Sequence, residues 1–315
     1  MKTLIKKTTL IKKTFKENKK LLENHKRVLL AVSGGIDSMV LLQYFMELKD
    51  KFGLEEIGVV HINHKQREQS EIEEKYLVEY CNLYEIPIYV KPFPEGKEFS
   101  ENIAREFRYN FFKEIMETYN YSALATAHHK DDQSETVFMR IIRGSRLLDL
   151  SGIKKKQFFH NGELIRPFLN VNKSEFPDIF HFEDSTNSEN NYFRNRVRNI
   201  YIPELSRENK QFSNHLVNLA DEVNSLNTVL KEFISDIDYL DLKTFKSYSK
   251  DTQLYFIQDY LSHYEDANFS KGTVKDLLNI LNSEKCYEQK IKDDFYIKKT
   301  SKYWNIYQLT TFKIE

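Results

Sequence analysis

Two short runs concentrate the side chains able to do chemistry. The first, Ser33-Gly34-Gly35-Ile36-Asp37-Ser38, follows the apolar run Val28 to Val32 and precedes a stretch with helical character. Adjacent glycines let a backbone turn sharply and bring its N–H groups close to an anion. The helix behind them aims its positive end at the same place, so phosphate is the ligand this run suits. It matches neither Gly-x-x-x-x-Gly-Lys-Ser/Thr nor Gly-x-Gly-x-x-Gly, and a plain strand–helix turn capped by Ser33 or Asp37 would account for it structurally. The second run is Ala127-His128-His129-Lys130-Asp131-Asp132-Gln133-Ser134-Glu135-Thr136. Asp132 with Glu135 three residues on would make a capping pair. Capping does not explain two imidazoles and two Asp residues within five positions, and Asp132 and Glu135 share a helical face from which both can address a metal or a substrate.

The elements around these runs alternate. Strand signals at Val28 to Val32, Ile57 to Ile62, Ile86 to Val90 and Ala123 to Ala127 are separated by helical stretches at Asp37 to Leu48, Ser70 to Tyr84 and Asn102 to Met116. A further helix runs from Asp132 to Arg143. Such alternation predicts an α/β fold with a doubly wound, mainly parallel, Rossmann-like sheet. Ligands of such sheets bind beyond the carboxyl ends of the strands, which places chemistry in the loops after Val32, Ile62 and Ala127. All six prolines lie at or before Pro203 and eight of nine glycines at or before Gly162, so longer helices and a small sheet are expected beyond. Leu216, Leu219, Val223, Leu226, Leu230, Phe233 and Ile237 mark one helix, with Ser213 as its cap, packed inside the same chain rather than as a coiled coil between chains. The stretch from Tyr287 to Phe312 alternates around a turn near Thr300-Ser301-Lys302, the pattern of a terminal hairpin.

The bulk properties set limits. A chain of 315 residues suits two domains, and 47 basic against 47 acidic residues argue against non-specific coating of nucleic acid while leaving room for local basic patches. Cys81 and Cys286 form no disulfide framework and no Cys-x-x-Cys pair. The Lys-rich start lacks the apolar run of a signal peptide and no stretch approaches a membrane span, so a soluble, cytoplasmic protein without membrane contact is expected.

Ser-Gly-Gly-x-Asp-Ser after an apolar strand resembles the PP-loop of the ATP pyrophosphatases, which cleave ATP between its α and β phosphates. The longer run from Ala127 through Arg143-Gly144-Ser145 resembles the tRNA(Ile)-lysidine synthetases of that superfamily. Four further segments agree in order: His61-Ile62-Asn63-His64 with Arg67, Asn102-x-Ala104-Arg105-x-x-Arg108-Tyr109, Arg166-Pro167-Phe168-Leu169, and Arg194-Asn195-x-x-Arg198 leading to Pro203. The resemblance covers roughly residues 25 to 205. Gln66 departs from the Leu usual in the family, at a position of packing, and the chain has room for about one of the two C-terminal domains many members carry.

The resemblance implies a PP-loop catalytic domain at 25–205; composition and patterning add a Lys-rich extension (1–24), a linker helix (206–240) and a small α+β domain (241–315), and residues 206–315 carry no motif that matches the family. It implies ATP and magnesium as cofactors, with free L-lysine and the tRNA(Ile) bearing a CAU anticodon as substrates. The implied activity is ligation of lysine to C2 of the wobble cytidine through an adenylated base, which moves codon reading from AUG to AUA. Ser33 to Ser38 would hold pyrophosphate, with Asp37 and Asp132 around the metal. Glu135 would hold the incoming lysine or take its proton, because that amine must lose a proton before it attacks. Arg105, Arg108, Arg194 and Arg198 are candidates for steadying phosphate and intermediate, each also readable as a surface charge. His128, His129, Asp131, Arg194 and Asn195 are candidates for substrate contact, with Tyr192 and Phe193 available to stack on bases. Residues 285 to 313 mix lysines with aromatics, a tRNA contact or the solvated face of a packed hairpin, with homodimer contacts as another use. Two rivals remain: a thiolase of the same superfamily, which needs cysteines that these motifs lack, and a non-catalytic adenine-nucleotide binding protein.

Overall fold

The computed structural model describes residues 2–65, 69–94, 100–183, 190–262, 264 and 269–309. Gln66, Arg67, Phe312 and Lys313 lie outside the described residues, and the side chain of Asn102 does too. The chain divides into two compact units, Met1–Glu222 and Val223–Glu315.

In the first unit α1 (Lys2–Leu21) leads to β1 (Arg27–Ala31), α2 (Ile36–Phe52), β2 (Glu56–Asn63), α3 (Gln69–Leu83), β3 (Ile88–Pro92), α4 (Glu101–Tyr119), β4 (Ala123–Ala125) and α5 (Lys130–Ile142). Then come β5 (Lys156–Phe159), β6 (Gly162–Ile165), α6 (Phe193–Arg196), a single π-helical turn at Val197–Tyr201, α7 (Ile202–Glu208) and α8 (Phe212–Ile234), which crosses into the second unit. The sheet runs β3-β2-β1-β4-β6-β5, parallel throughout except for the antiparallel edge pair β5–β6. The expected doubly wound, mainly parallel sheet is therefore present. Alternate residues of each strand feed two cores. Val28, Leu30 and Val59 pack with α2 residues such as Met39 and Phe45, while Leu29, Val60 and Leu124 pack with Phe111, Phe112 and Met116 of α4. Helices on both faces are what a parallel sheet needs to bury both sides.

Three differences from the sequence expectation have physical causes. Residues 1–24 are not set apart as an extension, because α1 is part of this unit. Leu10, Thr14, Asn18 and Leu22 recur every fourth position and are all buried, and the Tyr44 hydroxyl meets Thr14 Oγ1 at 2.8 Å and Asn18 Nδ2 at 3.0 Å. A lysine count along the line hides that inward stripe, half of which is polar. Second, the hairpin β5–β6 was not anticipated, although it turns on His160-Asn161 before Gly162, with His160 at φ 50°. Third, α8 covers its apolar stripe only in part. Leu216, Ala220 and Val223 are buried, but Leu226 is 41% and Phe233 69% exposed, and Ser213 lies within the first turn rather than capping it.

The second unit holds α9 (Leu242–Ser247), α10 (Lys250–Leu261), α11 (Lys271–Asn282) and the antiparallel sheet β7 (Tyr287–Lys292), β8 (Phe295–Lys299) and β9 (Trp304–Gln308). Phe245, Phe256, Leu277, Ile297 and Trp304 form its core. The expected turn at Thr300 to Lys302 joins β8 to β9, and a second turn at Asp293 adds β7, so three strands stand where a two-strand hairpin was expected. No described helix is long and apolar enough to cross a membrane.

Candidate active site

β1 lies between β2 and β4, so the chain leaves β1 toward one side and reaches β4 on the other. That reversal opens a crevice at the carboxyl ends of β1 and β4, where both chemical runs emerge. Gly34 turns the first loop at φ 91°, a conformation L side chains rarely adopt, and its carbonyl accepts the Phe182 N–H at 3.0 Å. Ser38 ties the loop together. Its hydroxyl donates to the Gly35 carbonyl at 2.9 Å and accepts the Ser33 N–H at 3.1 Å. Gly35 occupies the N-cap of α2 and no side chain caps it, so neither Ser33 nor Asp37 plays the capping part. The first amides of α2 are thus left for a ligand. Ile36 is half-buried against the α2 side of the core, which makes it a packing residue of the loop.

Asp37 lies in the first turn of α2. Its Oδ2 meets Lys173 Nζ at 3.1 Å and lies 3.7 Å from His129 Nε2, while its Oδ1 is buried without a hydrogen-bond partner. Burial alone would raise the Asp37 pKa, but the bond and charge of His129 together with Lys173 hold it below the ordinary carboxylate value. His129 Nε2 also lies 3.5 Å from Asp132 Oδ2, and the neighbouring Asp37, Asp132 and half-buried Asp131 raise the imidazole pKa against the opposing effect of burial.

Asp132 does serve as a cap, since its Oδ2 accepts the His129 N–H at 3.0 Å. Its other oxygen accepts from Arg194 Nη2 at 2.9 Å and Arg198 Nη2 at 3.4 Å. Burial would raise its pKa, yet His129, Arg194 and His128 lower it to about 2. Glu135, one turn further along α5, is 2% exposed. Both its oxygens are taken: Oε1 by Arg198 Nε at 2.6 Å, and Oε2 by Arg194 Nε at 2.9 Å and Arg198 Nη2 at 3.0 Å. These arginines come from 59 and 63 residues away. Arg194 of α6 and Arg198 of the π-helical turn are four residues apart and so face the same way, and π turns inside helices are frequent at functional sites.

The remaining candidates spread over the rim. His128 is half-buried, with Nδ1 2.8 Å from Thr126 Oγ1. Burial, followed by the nearby charges of Arg166, Arg194 and Arg105, lowers its pKa to about 3 against the pull of Asp132. Arg105 is exposed on α4, stacked over Tyr109 at 4.6 Å and within electrostatic reach of His128. Arg108 follows three residues later, and Asn195 sits half-buried in α6. The sequence reading missed Lys173, whose signal was β6. A further parallel strand beside β4 delivers its following loop to the same crevice.

The donor set fits magnesium of the phosphate-bridging kind. Asp37 and Asp132 both approach His129 Nε2, one with an unsatisfied buried oxygen, and magnesium at such sites takes one or two carboxylates and completes its shell with water and substrate phosphates. Among the described residues no group of three or more His, Cys, Asp or Glu side chains could hold a metal by itself. The thiols stand apart: Cys81 is buried in the core and burial pushes it up to about 12, and Cys286 is an exposed residue of the second unit.

Comparison with known proteins bears on the family and the fold. The family model described as a PP-loop domain matches residues 5–205. A tRNA(Ile)-lysidine synthase of Streptococcus pyogenes is 50% identical over 281 residues, which cover 89% of this chain and 65% of that protein. One of Streptococcus mutans is 44% identical over 290 residues, covering 92% of this chain and 68% of that protein. The chain thus spans about two thirds of the length of these relatives. Among solved structures, the U34-tRNA thiolase NcsA from Methanococcus maripaludis superposes with a TM-score of 0.56 at 19% identity, over 69% of this chain and 79% of that one, a likeness of fold. A parallel sheet with a Ser-Gly-Gly loop at its switch point and this level of identity lead to one assignment: the chain belongs to the PP-loop family, among the tRNA(Ile)-lysidine synthases.

Proposed function

We propose that the chain ligates free L-lysine to C2 of the wobble cytidine in a tRNA(Ile) with a CAU anticodon, at the expense of ATP. The observation that carries this reading is the convergence of Asp37, His129, Asp132, Arg194 and Arg198 beside the open N-terminus of α2. In the first half-reaction the C2 oxygen attacks the α-phosphate and pyrophosphate leaves. In the second the lysine amine attacks C2 and AMP leaves.

Negative charge gathers on phosphate oxygens in the first half-reaction, so the site must offer fixed donors and cations there. The uncapped amides of the Ser33–Ser38 loop and α2 would cradle pyrophosphate. Asp37 and Asp132 would hold magnesium, which when bound supplies charge neutralisation between the phosphates. Lys173, already on Asp37, would add a cation at the same end. His128, kept neutral by its surroundings, is suited to contact an uncharged base. The anticodon supplies a base that leaves its stack at small cost.

The test is incubation with ATP, labelled lysine and total tRNA, followed by digestion to nucleosides. A labelled nucleoside that requires both ATP and tRNA is the expected product. Pyrophosphate exchange that proceeds equally without tRNA, with no label in RNA, would point instead to an enzyme that activates some other acceptor. The sulfur-transfer rival gains nothing from Cys81, whose thiol is packed in a core and held protonated at neutral pH.

A further inference from the structure

We infer that Glu135 is a positioning residue for the adenylation half-reaction, acting through Arg194 and Arg198, and does not hold the lysine substrate. This inference rests on the function proposed above and assigns one side chain within it.

A group that binds a lysine ammonium needs a carboxylate oxygen free to accept from it. Both Glu135 oxygens already accept from guanidinium groups, Oε1 once at 2.6 Å and Oε2 twice at 2.9 and 3.0 Å, and at 2% exposure what remains of Oε1 is closed off from solvent. Planar guanidinium forks match a carboxylate well, and a buried carboxylate stripped of its partners would be costly, so exchange for a flexible ammonium is unfavourable.

The arginines are arranged the other way. Each directs Nε and Nη2 inward to Glu135 and Asp132, while its side chain stays 31% or 35% exposed. The third nitrogen of each fork, Nη1, enters none of these bonds. Two guanidinium groups fixed at the base and open at the tip, beside the loop suited to phosphate, are placed to receive charge on a phosphoryl group. Their positions are set before substrate arrives, which is what makes such stabilisation effective.

Glu135→Gln keeps the shape of the side chain but removes the charge and puts an N–H donor against the forks. The measurement is tRNA-dependent ATP–pyrophosphate exchange without lysine, beside KM for lysine in the complete reaction. Exchange is expected to fall roughly 100-fold, the scale of losing one preorganised donor, with KM for lysine changed by no more than about twofold. Arg198→Lys, which keeps the charge and loses the fork, should fall in the same half-reaction. The double variant should be little worse than either alone, because both changes break one unit. Arg198→Lys also carries the test if Glu135→Gln does not fold. Normal exchange with a tenfold or greater rise in KM for lysine in Glu135→Gln would return this residue to the lysine site, and normal exchange in Arg198→Lys would also overturn the inference. If the unaltered protein shows no tRNA-dependent exchange at all, the proposed function itself falls, and this assignment with it.

Discussion

Asp37 shares its Oδ2 between Lys173 and His129 and leaves its Oδ1 buried and unpaired, an arrangement with little to contribute to folding. The Lys173 pair is partly exposed, and such pairs are worth about 1 kcal/mol or less. Asp37→Asn should therefore leave the thermal midpoint nearly unchanged while lowering pyrophosphate release roughly 100-fold, the scale of removing one charge-stabilising group. Wild-type release in a folded Asp37→Asn protein would leave Asp37 as only the ion-pair partner of Lys173. The cysteines allow a complementary experiment. Cys81 packs in the core with no exposed surface and Cys286 is exposed, so the double change Cys81→Ala with Cys286→Ser should leave activity per folded molecule intact. Stability should drop by about 1 kcal/mol, because a sulfur is lost from a packed core. A folded, ATP-binding double variant without activity would overturn the ligase reading and revive the thiol chemistry of the rival.

At the scale of elements, α1 differs most from what its composition suggests. Its lysines from Lys6 onward face outward, with Lys7 on Glu47 and Lys13 on Glu175, while Leu10 is 2% exposed beneath them. Phe15 stacks on Phe52 at 5.3 Å, which fixes α1 against the end of α2. Leu10→Ala should cost about 2–4 kcal/mol, as for other buried leucines, in equilibrium unfolding by denaturant. Activity per folded molecule should be unchanged, since Leu10 belongs to the apolar core, whereas α1 approaches the crevice through Lys13 on Glu175, two residues from Lys173. A change below about 0.5 kcal/mol would mean that α1 is a dispensable extension after all.

For the whole molecule the division of labour is the open matter. Every phosphate and metal candidate lies in the first unit, up to Arg198. A cut near Glu204 would interrupt α7 and remove Leu216 and Ala220, which bury Val137 of α5. A cut after Glu222 spares that contact and falls at the unit boundary. The shortened chain is expected to bind ATP as the full chain does, while its affinity for tRNA falls and its salt dependence flattens. Each lost contact from a lysine or arginine to phosphate lowers the slope of log affinity against log salt by about 0.7 to 0.9. Equal affinities and slopes for both lengths would show that the second unit makes no tRNA contact, and its use would then be sought in assembly.

The phosphate loop, the acidic and imidazole run and the strand–helix alternation are legible in the sequence, because each is a local pattern. Gly34 carries the left-handed turn whatever lies around it, and Asp132 and Glu135 share a helix face by their spacing alone. The antiparallel hairpin β5–β6 is a local pattern too, carried by the turn at His160-Asn161 before Gly162. Other features could not be read along the line. That Arg194 and Arg198 close on Asp132 and Glu135, that Lys173 reaches Asp37 across 136 residues, and that both Glu135 oxygens are engaged by arginine all depend on the order of strands in the sheet. The inward face of α1 belongs to the same class, since Thr14 and Asn18 are core residues only because the Tyr44 hydroxyl stands opposite them. A helix period or a glycine turn is set by neighbours a few bonds away. The partner of a charged side chain is chosen by which distant segment folding brings beside it, and burial then decides whether that meeting holds a charge, shifts a pKa or fills a carboxylate.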